Sequence, residues 1–290
     1  MTRVKRQGIS FAGHLAKCGV LDLKAATGLP SLVVSLSGQK MAFNRLPFRD
    51  PRTVARDIPG VLDVLFPRLS GGLVASLNRT AFTFEGISAV PDELVEQSAL
   101  MRAMLFELAI ARAERLLAGH LEPDWDECLQ VAANRQSRHY DAKVPKAIAD
   151  CDREVAELSA QNLVAMLRRV QQQHPKAKLE ASPTIPGMGW IASGSADFSL
   201  GSILIEVKHT DRNFVSGDFR QVLMYWILKY ASSIEGEDEV WSDCLLLNPR
   251  RNSALLVSFN KLLHSASASS NRVELYELLR SIVGQDLERR

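Results

Sequence analysis

Residues 203–208, Ile-Leu-Ile-Glu-Val-Lys, alternate in a way that constrains any fold built on this chain. Successive side chains of a strand point to opposite faces, so Ile203, Ile205 and Val207 share one face and Leu204, Glu206 and Lys208 the other. The first set is a core face and the second carries charge. A two-residue turn at Leu200 and Gly201 pairs Ser199 with Ser202 and, continued, sets Asp197 opposite Leu204. Asp197 then shares the face of Glu206 and Lys208, diagonal to Glu206 at about 7–8 Å between backbones.

The surrounding sequence reads as an α/β arrangement. A helical pattern over 147–173 places Val155, Leu158, Leu163 and Met166 near helical spacing with no internal Gly or Pro. Strand patterns follow at 178–185, 193–199 and 203–210, then a helix at 218–231, a strand at 243–248, a turn at 249–252 and a strand at 254–259. A last helical region is interrupted by the loop at 265–270. Residues 1–146 read as a largely helical α+β region, with the boundary in the polar connection at 135–146. It begins with a hairpin across Leu32–Phe48 and a short helix stopped by Pro67. A strand at 80–87 comes next, then one long helix from Asp92 to the stop signal at Gly119 and a further helical pattern from Pro123 to His139.

Composition excludes several functions. A net charge of +2 over 290 residues supplies no global basic surface, so any nucleic-acid contact must come from a local patch. Two segments offer one, the turn carrying Arg250 and Arg251 and the stretch carrying Arg168, Arg169, Lys176 and Lys178; a solvated charged loop explains each as well. Cys18, Cys128, Cys151 and Cys244 lie far apart without CxxC spacing, which argues against zinc or iron–sulfur sites and for reduced thiols in a cytoplasmic protein. There is no run of eighteen apolar residues, and His14 and Lys17 interrupt the N-terminal apolar stretch, so neither a membrane span nor a signal-peptide core is expected. No phosphate-cradling loop, nucleophile elbow or HExxH occurs. His209 faces away from Lys208 and reads as structural, while His120 and His139 sit in helix-end contexts.

Two readings of the charged strand face remain at this point. In one, Glu206 and Lys208 are an exposed pair on an edge strand and Asp197 enters a turn. In the other, Asp197 and Glu206 reach one hard cation, because magnesium needs only one or two protein carboxylates besides water and phosphate oxygens. Lys208 would then orient a water or neutralise charge on a phosphate. The helix that follows puts Gln221 and Tyr225 four residues apart on one face, where a purely core-facing stripe would not choose Gln.

Gly194-Ser195-Ala196-Asp197, then Glu206-Val207-Lys208, then Gln221 and Tyr225 resemble the GxxD, (D/E)xK and QxxxY motifs of RecB-type nucleases. These belong to the PD-(D/E)XK superfamily of restriction-endonuclease-like enzymes, which includes the nucleases of CRISPR spacer acquisition. The match covers roughly residues 150–290. The resemblance implies a core in the order helix, three strands, helix, strand, and Mg²⁺- or Mn²⁺-dependent cleavage of DNA. It makes Asp197, Glu206 and the Val207 carbonyl metal ligands. Lys208 would position the attacking water, and Gln221 with Tyr225 would contact substrate or brace the site. A further acid or histidine is expected on the preceding helix, with Glu154, Glu157 and His174 all eligible. The cysteines that hold an iron–sulfur cluster in some relatives are missing. The N-terminal half would bind substrate or a protein partner, by analogy in a phage-defence or DNA-processing assembly. The alternative is a nuclease-like subunit that binds without cutting.

Overall fold

The computed structural model describes residues 49–57, 59–137, 145, 147–236, 239–269 and 271–288. The Leu32–Phe48 hairpin, Cys18, His139 and most of the polar connection at 135–146 lie outside them. The described residues belong to one compact unit.

The chain opens with α1 (Pro51–Asp57), α2 (Pro59–Leu65) and α3 (Gly71–Asn78). Asp50 caps α1. Its Oδ1 accepts from the Thr53 amide at 3.0 Å and its Oδ2 from the Thr53 hydroxyl at 2.6 Å, while Pro51 occupies the first helical position, where no amide hydrogen is needed. Helix α2 ends ahead of Pro67, as its sequence indicates.

Residues 80–87 do not form the expected strand. Only Phe82 pairs, its amide and carbonyl each bonding Ala254 at 2.8 Å. Beyond it the Asn252 side chain replaces the ladder: Oδ1 accepts from the Phe84 amide at 3.1 Å, and Nδ2 donates to the carbonyls of Phe84 and Ile87 at 2.8 and 2.7 Å. The single helix expected from Asp92 is two, α4 (Asp92–Glu96) and α5 (Arg102–Leu117). Buried Asp152 causes the break, because its Oδ1 takes the Ser98 hydroxyl at 2.5 Å and the Leu100 amide at 3.1 Å, drawing the backbone out of helix. Helix α5 does stop at Gly119, at φ +92°, where the His120 amide reaches the Arg115 carbonyl and the Gly119 amide the Leu116 carbonyl. Helices α6 (Trp125–Gln136) and α7 (Asp150–Gln173) both pack on α5.

The strands are β1 (Leu179–Ala181), β2 (Thr184–Ile185), β3 (Gly194–Ser195), β4 (Phe198–Leu200) and β5 (Ile203–Val207). Helix α8 (Ser216–Glu235) then leads to β6 (Asp243–Asn248), β7 (Ser253–Ser258), α9 (Phe259–Ala266) and α10 (Arg272–Glu288). A mixed five-stranded sheet runs β1-β4-β5-β6-β7, antiparallel except for the parallel β5–β6 pair that α8 connects, and β2 pairs with β3 separately. The expected strand at 178–185 is thus split. Ser182 adopts φ +53° and Pro183 offers no amide, so the chain leaves one sheet and enters the other.

Helices cover both faces of the sheet, which is why β5 is buried along its whole length. Phe198, Ile203, Ile205 and Val207 pack on α7 residues Leu163, Met166 and Leu167. On the other face Leu204, Cys244 and Leu246 share a core with α8, α1 and α2. The β4–β5 turn is Gly201–Ser202, one residue later than read, with Gly201 at φ +53° and the pairs Leu200–Ile203, Ser199–Leu204 and Phe198–Ile205. This moves the register by two, which preserves the shared face and carries Asp197 from diagonal to directly across from Glu206. Among the described residues no helix is long and apolar enough to cross a membrane.

Candidate active site

Glu206 and Lys208 emerge from β5 on the face covered by α8, so they are buried rather than decorating an edge. The Lys208 amine donates to Glu206 Oε1 at 3.0 Å and to Gln221 Oε1 at 2.7 Å. Gln221 Nε2 donates to Glu206 Oε1 and to the Tyr225 hydroxyl, both at 2.7 Å. One turn of α8 therefore supplies a brace: Gln221 holds acid and amine together, and Tyr225 fixes the amide of Gln221. Asp218, on the same helix, lies 3.9 Å from the Lys208 amine. Asp197 joins from the residue before β4, its Oδ2 accepting from the Val207 amide at 2.7 Å. The five side chains and Val207 named from the sequence thus come together.

The electrostatics of this group are unbalanced. Glu206 is 2 % exposed, and its Oε2 is buried without a hydrogen-bond partner. A buried carboxylate oxygen left this way carries a full desolvation penalty. Part of Asp197 is accessible, yet its carboxyl is enclosed by protein atoms; burial, then the charge of Glu206, push its pKa up to about 8 against the pull of Lys208. Burial and Glu206 also raise the Tyr225 phenol well above its ordinary value, so it stays protonated.

These features suit a hard divalent cation. Among the described residues no three His, Cys, Asp or Glu side chains cluster as a self-sufficient metal site. Two carboxylates, one with an unsatisfied oxygen and the other destabilised by its neighbour, form the sparse oxygen set that magnesium accepts when water and phosphate complete its shell.

A cleft of about 560 Å³ opens beside the group, lined by Arg52 and Arg56 of α1, Arg102 and Glu107 of α5, and Lys208 and Gln221. Arg52 and Glu107 were not singled out from the sequence. The Asp50-Pro51 pair was a legible helix start, and the i, i+4 spacing of the two arginines follows from it. Val207, Lys208 and Gln221 reach this cleft, whereas Asp197, Glu206 and Tyr225 lie behind them, and the three upstream candidates neither line the cleft nor bond to the group. Glu157 instead bonds Arg112 at 2.6 and 3.2 Å, Glu154 is exposed, and His174 sits exposed at the end of α7.

The other basic candidates divide. The turn does not present Arg250, which is 5 % exposed and bonded to Asp92 Oδ1 at 2.8 Å; Arg251 is exposed, as are Arg168, Arg169, Lys176 and Lys178. His209 is structural, with Nε2 at 2.9 Å from the Ser159 hydroxyl and a pKa lowered to about 4 by burial and then by Arg250. Cys128 and Cys244 are buried free thiols. No known family model matches the chain, and no curated protein matches it.

Proposed function

We propose that the protein is a divalent-metal-dependent nuclease that hydrolyses DNA phosphodiester bonds on a restriction-endonuclease-like core. The observation that carries this reading is the buried Glu206–Lys208–Gln221 group, joined by half-buried Asp197, with Glu206 Oε2 unpartnered behind a cleft that arginines help to line. The element order adds support: α7, the antiparallel β1, β4 and β5, then α8 and the parallel β6 follow the order that the motif resemblance implies.

Asp197, Glu206 and the Val207 carbonyl would hold magnesium or manganese. Bound there, the ion supplies a Lewis acid that polarises a phosphoryl oxygen and lowers the pKa of a coordinated water. Lys208 places its amine at the edge of the cleft, where it would orient the attacking water and offset negative charge developing on the phosphate. Gln221 fixes the orientation of the Lys208–Glu206 ion pair by engaging both partners. Burial beneath α8 limits bulk water around these groups, which strengthens each interaction. The walls supplied by α1 and α5 would receive the substrate, which gives the region before the motifs a binding role.

The test is incubation of the purified chain with supercoiled and linear DNA in magnesium or manganese. Wild-type protein is expected to cut; Glu206→Gln and Lys208→Ala are each expected to lose about 10²-fold or more. Undiminished cleavage by both variants would sink the proposal. Tight DNA binding with no cutting in any metal would favour a subunit that binds without catalysis.

A further inference from the structure

We propose that Arg52, on α1 and far outside the motif region, is a substrate-binding residue of this site whose guanidinium takes a phosphate of a nucleic-acid strand lying in the cleft. This rests on the nuclease reading for the identity of the substrate, though not for the anion-binding role of the residue.

The placement of α1 is built in. Arg49 pairs with Ile191, its amide reaching the Trp190 carbonyl at 3.4 Å and its carbonyl accepting from the Ala192 amide at 2.9 Å. Pro51 then seats on Gly194, so closely that a Cβ there would lie 2.9 Å from the Pro51 ring. The glycine of the first motif thus serves as the bed for α1. Val54 and Ala55 anchor the inner side of the helix in the core, which turns Arg52 and Arg56 to the cleft.

The cleft arginines differ in what compensates them. Arg102 pairs with Asp211 at 3.3 Å, Arg212 with Asp218 at 2.9 Å, and Arg220 with Asp63, all acids outside the carboxylate pair. Burial lowers the Arg52 pKa, but the charges of Glu206 and then Asp197, with Tyr225 and Glu107 behind them, together outweigh it and hold the pKa above the ordinary arginine value. Arg52 therefore stands on the cleft wall within the field of the carboxylates, where an incoming anion would meet it. Arg52 is exposed on the cleft wall, so when substrate enters its planar fork can grip two phosphate oxygens.

Arg52→Ala and Arg52→Lys should be compared with wild type and with the exposed, off-cleft variant Lys261→Ala. Binding of a short fluorescent single-stranded deoxyoligonucleotide would be followed by anisotropy across a salt series, with calcium replacing magnesium, alongside cleavage in magnesium. Arg52→Ala is expected to weaken binding at least tenfold and to reduce the slope of log K against log salt by about 0.7, the share of one phosphate contact on a single strand. Arg52→Lys should restore the slope but only part of the affinity, and it preserves the charge if the alanine variant folds poorly. Wild-type affinity and slope in both variants would overturn the proposal. If wild type cuts and Arg52→Ala binds normally, the nuclease reading stands and Arg52 falls. If wild type binds without cutting and Arg52→Ala loses binding, Arg52 stands and catalysis falls. A wild type that neither binds nor cuts removes both.

Discussion

Gln221 is the residue on which the site geometry turns, because its amide touches an acid, an amine and a phenol at once. Gln221→Ala would leave Glu206 with fewer donors and Tyr225 without its partner, and each unmet buried group costs about 1–3 kcal/mol. Cleavage in the variant should fall about 10²-fold or more. Tyr225→Phe removes only the outermost bond, so it should cost about 1 kcal/mol in melting experiments and leave cleavage within about tenfold of wild type. Equal loss in the two variants would mean that the hydroxyl of Tyr225 acts on substrate. His209 gives a separate pH prediction. Its folded pKa of about 4 lies below the ordinary value near 6.5, so between those values the unfolded chain binds a proton that the native protein does not. Its contribution to stability therefore falls as pH drops through that window, by up to roughly 3 kcal/mol. His209→Gln keeps a hydrogen-bonding amide toward Ser159 without titrating, so the variant should gain on wild type in melting curves as pH is lowered from 7 to about 4.5. The partners of these side chains were legible where spacing is short: strand parity joined Glu206 to Lys208, and helix periodicity joined Gln221 to Tyr225. Arg52 was not, because nothing local records which distant helix will cover a strand.

At the scale of elements, two of the departures from the sequence reading share one cause. Asn252 and Asp152 satisfy backbone groups with side chains, at 80–87 and at the break between α4 and α5, and hydrophobic periodicity carries no trace of such bonds. The strongly patterned α7, α8 and β6 were legible, since their apolar residues alone determine where they pack. The turn at Gly201–Ser202 slipped past the reading for a related reason. Gly201 takes the first turn position at φ +53°, and Ala177 lies 3.1 Å from where its Cβ would sit, so backbone conformation and a tertiary contact together select glycine there. Gly194 gives the sharpest test of how elements are joined. Gly194→Ala forces a methyl against the Pro51 ring, an overpacking that typically costs 1–3 kcal/mol. If α1 yields, Arg52 moves with it, so oligonucleotide binding should weaken even where most of the protein remains folded. A variant that melts lower yet binds with unchanged affinity would show that α1 stays in place and that the strain is absorbed elsewhere.

For the whole molecule, the charge balance decides what kind of nucleic-acid contact is possible. A chain of 290 residues carrying +2 has no field strong enough to coat a duplex, and several cleft arginines are already paired with acids. Binding should therefore rest on a few phosphates inside the cleft rather than on a broad basic surface. With about three contacts to a single strand, log K should fall against log salt with a slope of about −2, far from the slope of about −10 seen for proteins that grip duplex DNA over many phosphates. The same site should bind more tightly with a divalent cation present, because the cation compensates the burial and the Glu206 charge that raise Asp197 and neutralises the acids near the phosphate. Titrating the oligonucleotide against wild-type protein across salt, with calcium and then with chelator, checks both statements. A steep slope unaffected by chelator would place binding on the exposed basic residues after α7 instead, and would separate nucleic-acid affinity from the carboxylate site altogether.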